Sequence, residues 1–174
     1  MKQASTIQTI RPIIFWLALA ALLIYSGWAV FKTETAIANG TTVYVELAPV
    51  DPRSLIQGDY MALNYAVSDE LELGESSGRL VITTDAEQVA SFIRVADGNH
   101  TPLAANELLI NYSRDWSGWG NTIIIGTNSY FFQEGTGELF ETAKYGEFKV
   151  AADGTPILVG LRDEKLNLLG ELAR

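Results

Sequence analysis

The stretch that organises this sequence is Gly58-Asp59-Tyr60-Met61-Ala62-Leu63-Asn64-Tyr65. From Tyr60 onward the residues alternate as in a strand, because successive side chains of a strand point to opposite faces. Met61, Leu63 and Tyr65 then share one face, which the apolar pattern predicts to be buried. Tyr60, Ala62 and Asn64 share the other face.

The residues before this stretch have the composition of a single helical turn. Residues 51–57 read Asp-Pro-Arg-Ser-Leu-Ile-Gln. Asp51 is a suitable cap, Pro52 suits a first helical position, and Gly58 is able to leave the turn with a positive φ. We therefore expect a short helical turn that leads directly into the strand.

Residues 58–65 match the motif Gly-Asp-Tyr-x-x-Leu-x-Tyr letter for letter. With this motif, the sequence resembles the GDYXXLXY family of small membrane-anchored bacterial and archaeal proteins. Three later stretches resemble other recurrent stretches of that family, namely residues 130–135, 143–148 and 158–164. The resemblance implies placement and fold more than activity, since no biochemical function is established for the family.

Composition excludes several classes of function. The chain of 174 residues has 12 Lys and Arg against 21 Asp and Glu, and it has no Cys. Residues 1–31 contain Lys2 and Arg11 and no acid, so the remainder holds 10 basic and 21 acidic side chains, a formal charge of −11. Nucleic-acid binding needs a basic surface, which this composition does not supply. Disulfides, thiolate chemistry and Cys-ligated zinc are excluded as well.

Residues 13–31 are nineteen consecutive residues without a charge. A helix of that length measures roughly 28 Å, which is close to the thickness of a hydrocarbon core. We predict a transmembrane helix over residues 12–31 that contacts the lipid bilayer. The cationic residues before it place residues 1–11 in the cytoplasm by the positive-inside rule. Residues 32–40 form a juxtamembrane tether or extend the helix, and residues 41–174 form an acidic domain that is periplasmic or extracellular.

The sequence leaves two possibilities for the amino-terminal segment, which is either cleaved as a secretory signal or retained as a signal anchor. Ala36-Ile37-Ala38 resembles the small-x-small site at which a secretory signal is cleaved. The apolar run is, however, longer than the roughly 7–15 residues of a signal peptide. Retention as a signal anchor is favoured, and cleavage after Ala38 is the alternative.

The pattern beyond residue 40 predicts a mainly β domain, an antiparallel barrel-like or sandwich fold with one short helix. Residues 68–78 are acidic and rich in Gly and Ser, which predicts an exposed loop. The expected helix covers residues 137–145. The expected strands and hairpins cover residues 41–47, 79–84 with 89–95, 107–113, 122–125, 129–133 and 147–150 with 156–160.

No catalytic residue, metal site or cofactor is predicted. The motif residues are predicted to be structural or to line a binding site: Arg53, Gly58, Asp59, Tyr60, Leu63 and Tyr65. Trp116 and Trp119, in a Gly- and Ser-rich loop, form a candidate binding patch, with packing at one end of a barrel as the alternative.

Three functions are consistent with this sequence. The first is a non-catalytic module of the cell envelope that binds another membrane or envelope protein. The second is a membrane-anchored hydrolase that uses carboxylates near the motif. The third is a glycan-binding module that uses Trp116 and Trp119.

Overall fold

A computed structural model describes residues 3–48, 56–57, 60–69, 76–98, 102–115 and 122–170. Within these residues there are one long helix and ten strands, and the strands pair antiparallel within their sheets. The elements are α1 (Gln3–Asn39), β1 (Thr41–Glu46), β2 (Ile56–Gln57), β3 (Tyr60–Ala62), β4 (Ser77–Thr84), β5 (Ala90–Val95), β6 (Glu107–Asp115), β7 (Thr122–Ile124), β8 (Ser129–Phe131), β9 (Tyr145–Val150) and β10 (Pro156–Arg162). The mainly β prediction is confirmed.

Helix α1 contains one stretch, Pro12–Asn39, that is long and apolar enough to cross a membrane. Its mean hydropathy is 2.1 over the most apolar window, and none of that window is buried. The helix continues through residues 32–39, where the hydroxyls of Thr33 and Thr35 donate to the carbonyls of Ala29 and Phe31 at 3.1 and 2.8 Å. The segment predicted as a tether is therefore helical up to Asn39.

A single residue, Gly40, separates α1 from β1. Its amide donates to the carbonyl of Ala36 at 2.8 Å, which closes the last helical turn. A Cβ at this position would overlap that same carbonyl oxygen and would lie 3.2 Å from both the carbonyl oxygen of Val150 and the Cβ of Lys149. The helix and the β domain are therefore joined by a close packing contact.

Three sheets make up the domain. Their strand orders are β1-β9-β10, β2-β3-β8 and β5-β4-β6-β7. The first and third sheets meet at a parallel bridge between Tyr44 and Val89, and the amide of Asn111 donates to the carbonyl of Gly154 at 2.8 Å. The first and second sheets meet at an antiparallel bridge between Leu47 and Tyr65. These links curl the strands into a half-barrel.

The concave side of the half-barrel holds one apolar core. The predicted alternation is confirmed on the motif strand, where Met61, Leu63 and Tyr65 are buried and Tyr60 is exposed. The side chains with less than 2% exposure come from all parts of the domain and include Val43, Tyr65, Leu80, Val81, Ile110, Ile123, Phe148 and Leu161. The predicted hairpins over residues 79–95 and 147–160 are also confirmed.

Three local predictions are wrong. Ile56 and Gln57 do not continue a helical turn, because they pair with Met61 and Tyr60 and satisfy their backbone groups in a sheet. Ser77 and Gly78 already belong to β4, so the predicted loop over residues 68–78 ends before them.

The third is the helix expected over residues 137–145. It is reduced to a 3₁₀ turn, Gly137–Phe140, because Phe140 is buried against Phe132 and Tyr145 begins a strand. Pairing with two neighbouring strands satisfies the backbone from Tyr145 onward, and this outweighs a weak local helical pattern.

The junction between helix and domain yields a testable prediction. Gly40→Ala introduces a methyl group where no space exists, so we expect a loss of about 1–3 kcal/mol of stability of the β domain, as for other overpacked sites. Gly27→Ala is the matched control, because no atom lies within 4 Å of a Cβ at Gly27. Thermal unfolding of the full-length protein in nanodiscs, followed by circular dichroism, measures both. Equal melting temperatures for the two variants would refute the close contact.

Candidate functional site

The structure places three of the predicted site residues. Tyr60, Leu63 and Tyr65 are described, and Tyr60 lies on the face opposite the other two. The remaining predicted residues lie outside the described part of the chain: Arg53, Gly58, Asp59, Trp116 and Trp119. What was predicted for them remains a prediction.

Leu63 and Tyr65 lie in the core, with 2% and 0% of their surface exposed. The amide of Leu63 donates to the carbonyl of Asn128 at 2.8 Å, which extends the pairing of β3 with β8. The ring of Tyr65 packs against Phe148, with 6.0 Å between ring centroids. Leu63 and Tyr65, two of the residues that the motif specifies, thus lie in the interior of the fold.

The hydroxyl of Tyr65 lies between two backbone carbonyls. Its oxygen is 3.0 Å from the carbonyl oxygen of Ile125 and 2.5 Å from that of Thr127, so the single proton is shared between two acceptors. These carbonyls flank a tight turn in which Gly126 has φ +69° and the amide of Thr127 donates to the carbonyl of Ile125 at 2.7 Å. The motif tyrosine therefore fixes the turn that connects β7 to β8.

Burial raises the pKa of the Tyr65 hydroxyl well above its usual value. Ionisation would place a phenolate beside two carbonyl oxygens in an apolar interior, which disfavours the charged form. Tyr65 consequently stays a neutral hydrogen-bond donor, and the geometry does not equip it as a general base at ordinary pH.

Tyr60 forms an exposed aromatic pair with Phe131 of β8, and Phe131 in turn shares a concavity with Leu139 of the 3₁₀ turn. The ring of Tyr60 lies 5.8 Å from that of Phe131, between centroids, and the two residues face each other across the β3–β8 pair. Phe131 is 75% exposed and Leu139 is 47% exposed, and both line one shallow surface concavity. We call Tyr60, Phe131 and Leu139 the aromatic patch.

A second feature is a partly open cavity of about 300 Å³ beneath β1 and β5, which we call the apolar cavity because its inner wall is apolar, although its rim is polar. Its inner wall includes the buried side chains Leu80 and Ile110. Its rim includes Glu46 and Ser91, which are exposed. The volume falls at the lower end of the range of ligand pockets, roughly 300–1,000 Å³.

Comparison with known proteins identifies the family. A family model described as GDYXXLXY protein matches residues 22–161. The chain belongs to the GDYXXLXY family. Searches of curated proteins and of solved structures give no match. The match begins within α1 and ends within β10, so family membership includes part of the apolar helix and nearly all of the described β domain.

Charged groups of this GDYXXLXY protein form ion pairs between strands of the same sheet. Arg94 donates to both carboxylate oxygens of Glu107, at 2.7 and 3.1 Å, and this contact lowers the pKa of that carboxyl. Arg162 donates from Nε to Glu147 at 2.8 Å. Within the described residues, no group of three or more His, Cys, Asp or Glu is arranged to hold a metal ion.

Sequence reasoning did not identify Phe131 or Leu139 as surface residues. A signal was available at Phe131, because Tyr130, Phe131 and Phe132 are consecutive and a strand directs alternate side chains to opposite faces. At least one of these three rings must therefore face outward. Leu139 lies within the predicted helix over residues 137–145, which is not formed, so no local signal placed it at the surface.

The Tyr65 contact yields a second prediction. Tyr65→Phe keeps the ring but leaves two buried carbonyls without their donor, so we expect a loss of about 1–3 kcal/mol in the free energy of unfolding. Tyr44→Phe is the control, because the Tyr44 hydroxyl has no hydrogen-bond partner among the described residues. Denaturant unfolding measures both variants. An unchanged midpoint for Tyr65→Phe would show that the hydroxyl does not hold the turn.

The difference in stability between the wild-type protein and Tyr65→Phe depends on pH. The folded pKa of Tyr65 is raised above the 10.0 of a free tyrosine, so its contribution is fully present below pH 10 and decreases as the pH rises and the unfolded chain ionises. The stability difference between wild type and Tyr65→Phe should therefore shrink above pH 10.

Proposed function

We propose that this protein is a single-pass membrane protein whose acidic β domain lies outside the cytoplasm and binds another membrane or envelope protein without catalysing a reaction. Helix α1 supports the anchoring role, since its apolar side chains are exposed and buried by no other part of the described chain. Contact with the hydrocarbon of a bilayer removes the free-energy cost of exposing these apolar side chains to water. Lys2 and Arg11, before the apolar run, support a cytoplasmic amino terminus.

The observation that carries the binding role is the aromatic patch. Phe131 exposes three quarters of its surface on a short strand, β8, whose partner strand β3 buries Met61. Folding gains little from an aromatic side chain left in water, whereas burial in a complex contributes substantially. Aromatic residues are enriched among the side chains that dominate binding energy. The patch therefore has the chemistry of a protein contact surface.

Anchoring and orientation are tested together. We expect the full-length protein to stay in the membrane fraction after carbonate washing, because roughly 28 Å of uncharged helix is at equilibrium in lipid. Protease added to intact spheroplasts should digest the β domain, whereas protease added to inside-out vesicles should leave it intact. Recovery of the unprocessed chain in the aqueous fraction, or the reverse protection pattern, would contradict the proposed topology.

The binding role is tested with a photoreactive residue. A benzoyl-phenylalanine at position 131 should crosslink to a defined membrane or envelope protein in intact cells, whereas the same residue at Leu103, an exposed loop position, should not. Tyr60→Ser with Leu139→Ser should weaken that crosslink at least about tenfold while the melting temperature stays unchanged. Equal crosslinking at both positions would remove the patch as a binding surface.

A further inference from the structure

Strands β1 and β5 approach each other once and then separate. They are bridged in parallel at Tyr44 and Val89, where the amide of Tyr44 donates to the carbonyl of Gln88 at 2.9 Å. Beyond that bridge β1 turns toward the motif strand, through the Leu47–Tyr65 bridge. Strand β5 instead ends its sheet, and after the bridge no described strand pairs with its outer edge. Among the described residues, the half-barrel is therefore open at this point.

The apolar cavity lies at this opening. Val45 and Glu46 of β1 line one side, and Ala90, Ser91 and Phe92 of β5 line the other. We call this opening the β1–β5 gap. Folded interiors contain few voids larger than a water molecule, and empty ones lined by apolar groups forfeit packing contacts. A cavity of about 300 Å³ that reaches Ile110 in the core is thus suited to an apolar occupant.

The outer edge of β5 has the properties of a strand that accepts a partner strand. An open edge presents unpaired amides and carbonyls, and proteins usually protect such edges with charge, proline or a cover. Ile93 and Val95 are instead 46% and 36% exposed. Arg94 does not protect the edge as a free charge, because its guanidinium is paired with Glu107.

The acidic residues around the gap favour a partner of positive charge. Glu46 is exposed at the rim, and the described residues form no ion pair with it. Asp85 and Glu87 are exposed in the turn that leads into β5. Together with the formal charge of −11 beyond residue 31, these groups attract a cationic partner and repel an anionic one.

We propose that the β1–β5 gap binds an extended, basic segment of another protein by strand addition to β5. The segment pairs its backbone with the outer edge of β5, and one apolar side chain on the face shared with Ala90 and Phe92 enters the cavity. Lysine or arginine side chains of the segment lie near Glu46. The site shares no residue with the aromatic patch, so it deepens the proposed binding role while being tested separately.

A cationic alkyl amphiphile is the competing occupant, because it also has an apolar chain and a positive head. It has no backbone to pair with β5, so the open edge favours the peptide. The two occupants differ in what they protect: a peptide slows exchange of amides along Ala90–Val95, whereas an alkyl chain fills the cavity and leaves the edge free.

The test uses the full-length protein in nanodiscs of zwitterionic lipid and the synthetic peptide Lys-Thr-Lys-Leu-Lys-Thr-Lys. We expect saturable binding by calorimetry, and slower hydrogen exchange confined to Ala90–Val95 and the facing end of β1. Replacing the central Leu by Asp, all Lys by Glu, or alternate amides by N-methyl amides should each weaken binding at least about tenfold. Empty nanodiscs measure any binding of the peptide to lipid.

Variants of the protein complete the test. Ala90→Phe fills the cavity from its rim and should weaken binding at least about tenfold, whereas Ala105→Phe, at an exposed turn, should have no effect. Glu46→Gln should weaken binding and reduce its salt dependence. If Ala90→Phe does not fold, the Leu-to-Asp peptide on the wild-type protein tests the cavity instead.

Several outcomes would overturn the inference: unchanged binding to folded Ala90→Phe, equal binding of the N-methylated peptide, protection outside the gap, or no binding. A decylamine probe that competes with the peptide without protecting Ala90–Val95 would reassign the cavity to an amphiphile. Each of these results leaves the crosslink at position 131 unaffected, so failure of this site and failure of the proposed binding role are distinguishable.

Discussion

Tyr65 makes contacts with all three sheets, in addition to the bridge between Tyr44 and Val89 that joins the first sheet to the third. The backbone of Tyr65 bridges to Leu47 at the end of β1, and its own segment extends the small sheet. Its hydroxyl holds the turn that follows β7, in the third sheet. Short strands with separate pairing partners do not hold together without such links, because two or three residues of pairing stabilise little on their own. The Tyr65 contacts therefore hold the small sheet against the other two.

The parts of this fold that follow from sequence are the local ones. A period of two on residues 60–65 placed Met61 and Tyr65 correctly in the interior, because register leaves a strand only two choices of face. The apolar helix and the two hairpins followed from composition and turn chemistry in the same way. The partners of Tyr65 did not follow, because they lie 60 and 62 residues away, and no local pattern encodes a contact at that separation.

The wrongly predicted helix over residues 137–145 and the missed surface have one physical cause. Residues 137–145 have a weak helical pattern, but Phe140 gains more from packing on Phe132 and Tyr130 than from continuing a helix. Tyr145 then enters β9, where it is paired on both sides. Because Phe140 is buried and Tyr145 enters a strand, Leu139 remains exposed, and it lines the same concavity as Phe131. The candidate site is therefore a product of tertiary packing, and for that reason the sequence alone indicated other aromatic residues, Trp116 and Trp119.

The junction at Gly40 gives the aromatic patch and the β1–β5 gap a restrained orientation relative to the helix. A flexible linker would let the domain sample many orientations, since mobility grows with linker length. Here one residue connects α1 to β1, and Lys32 lies 3.6 Å from Asp153 in the turn before β10. That exposed ion pair contributes little by itself, so the close packing around Gly40 carries the restraint. An open strand edge is an aggregation hazard in a freely diffusing protein. In the proposed topology, anchoring in one orientation would restrict which chains reach β5, so an edge that no described strand pairs would carry a smaller risk of aggregation.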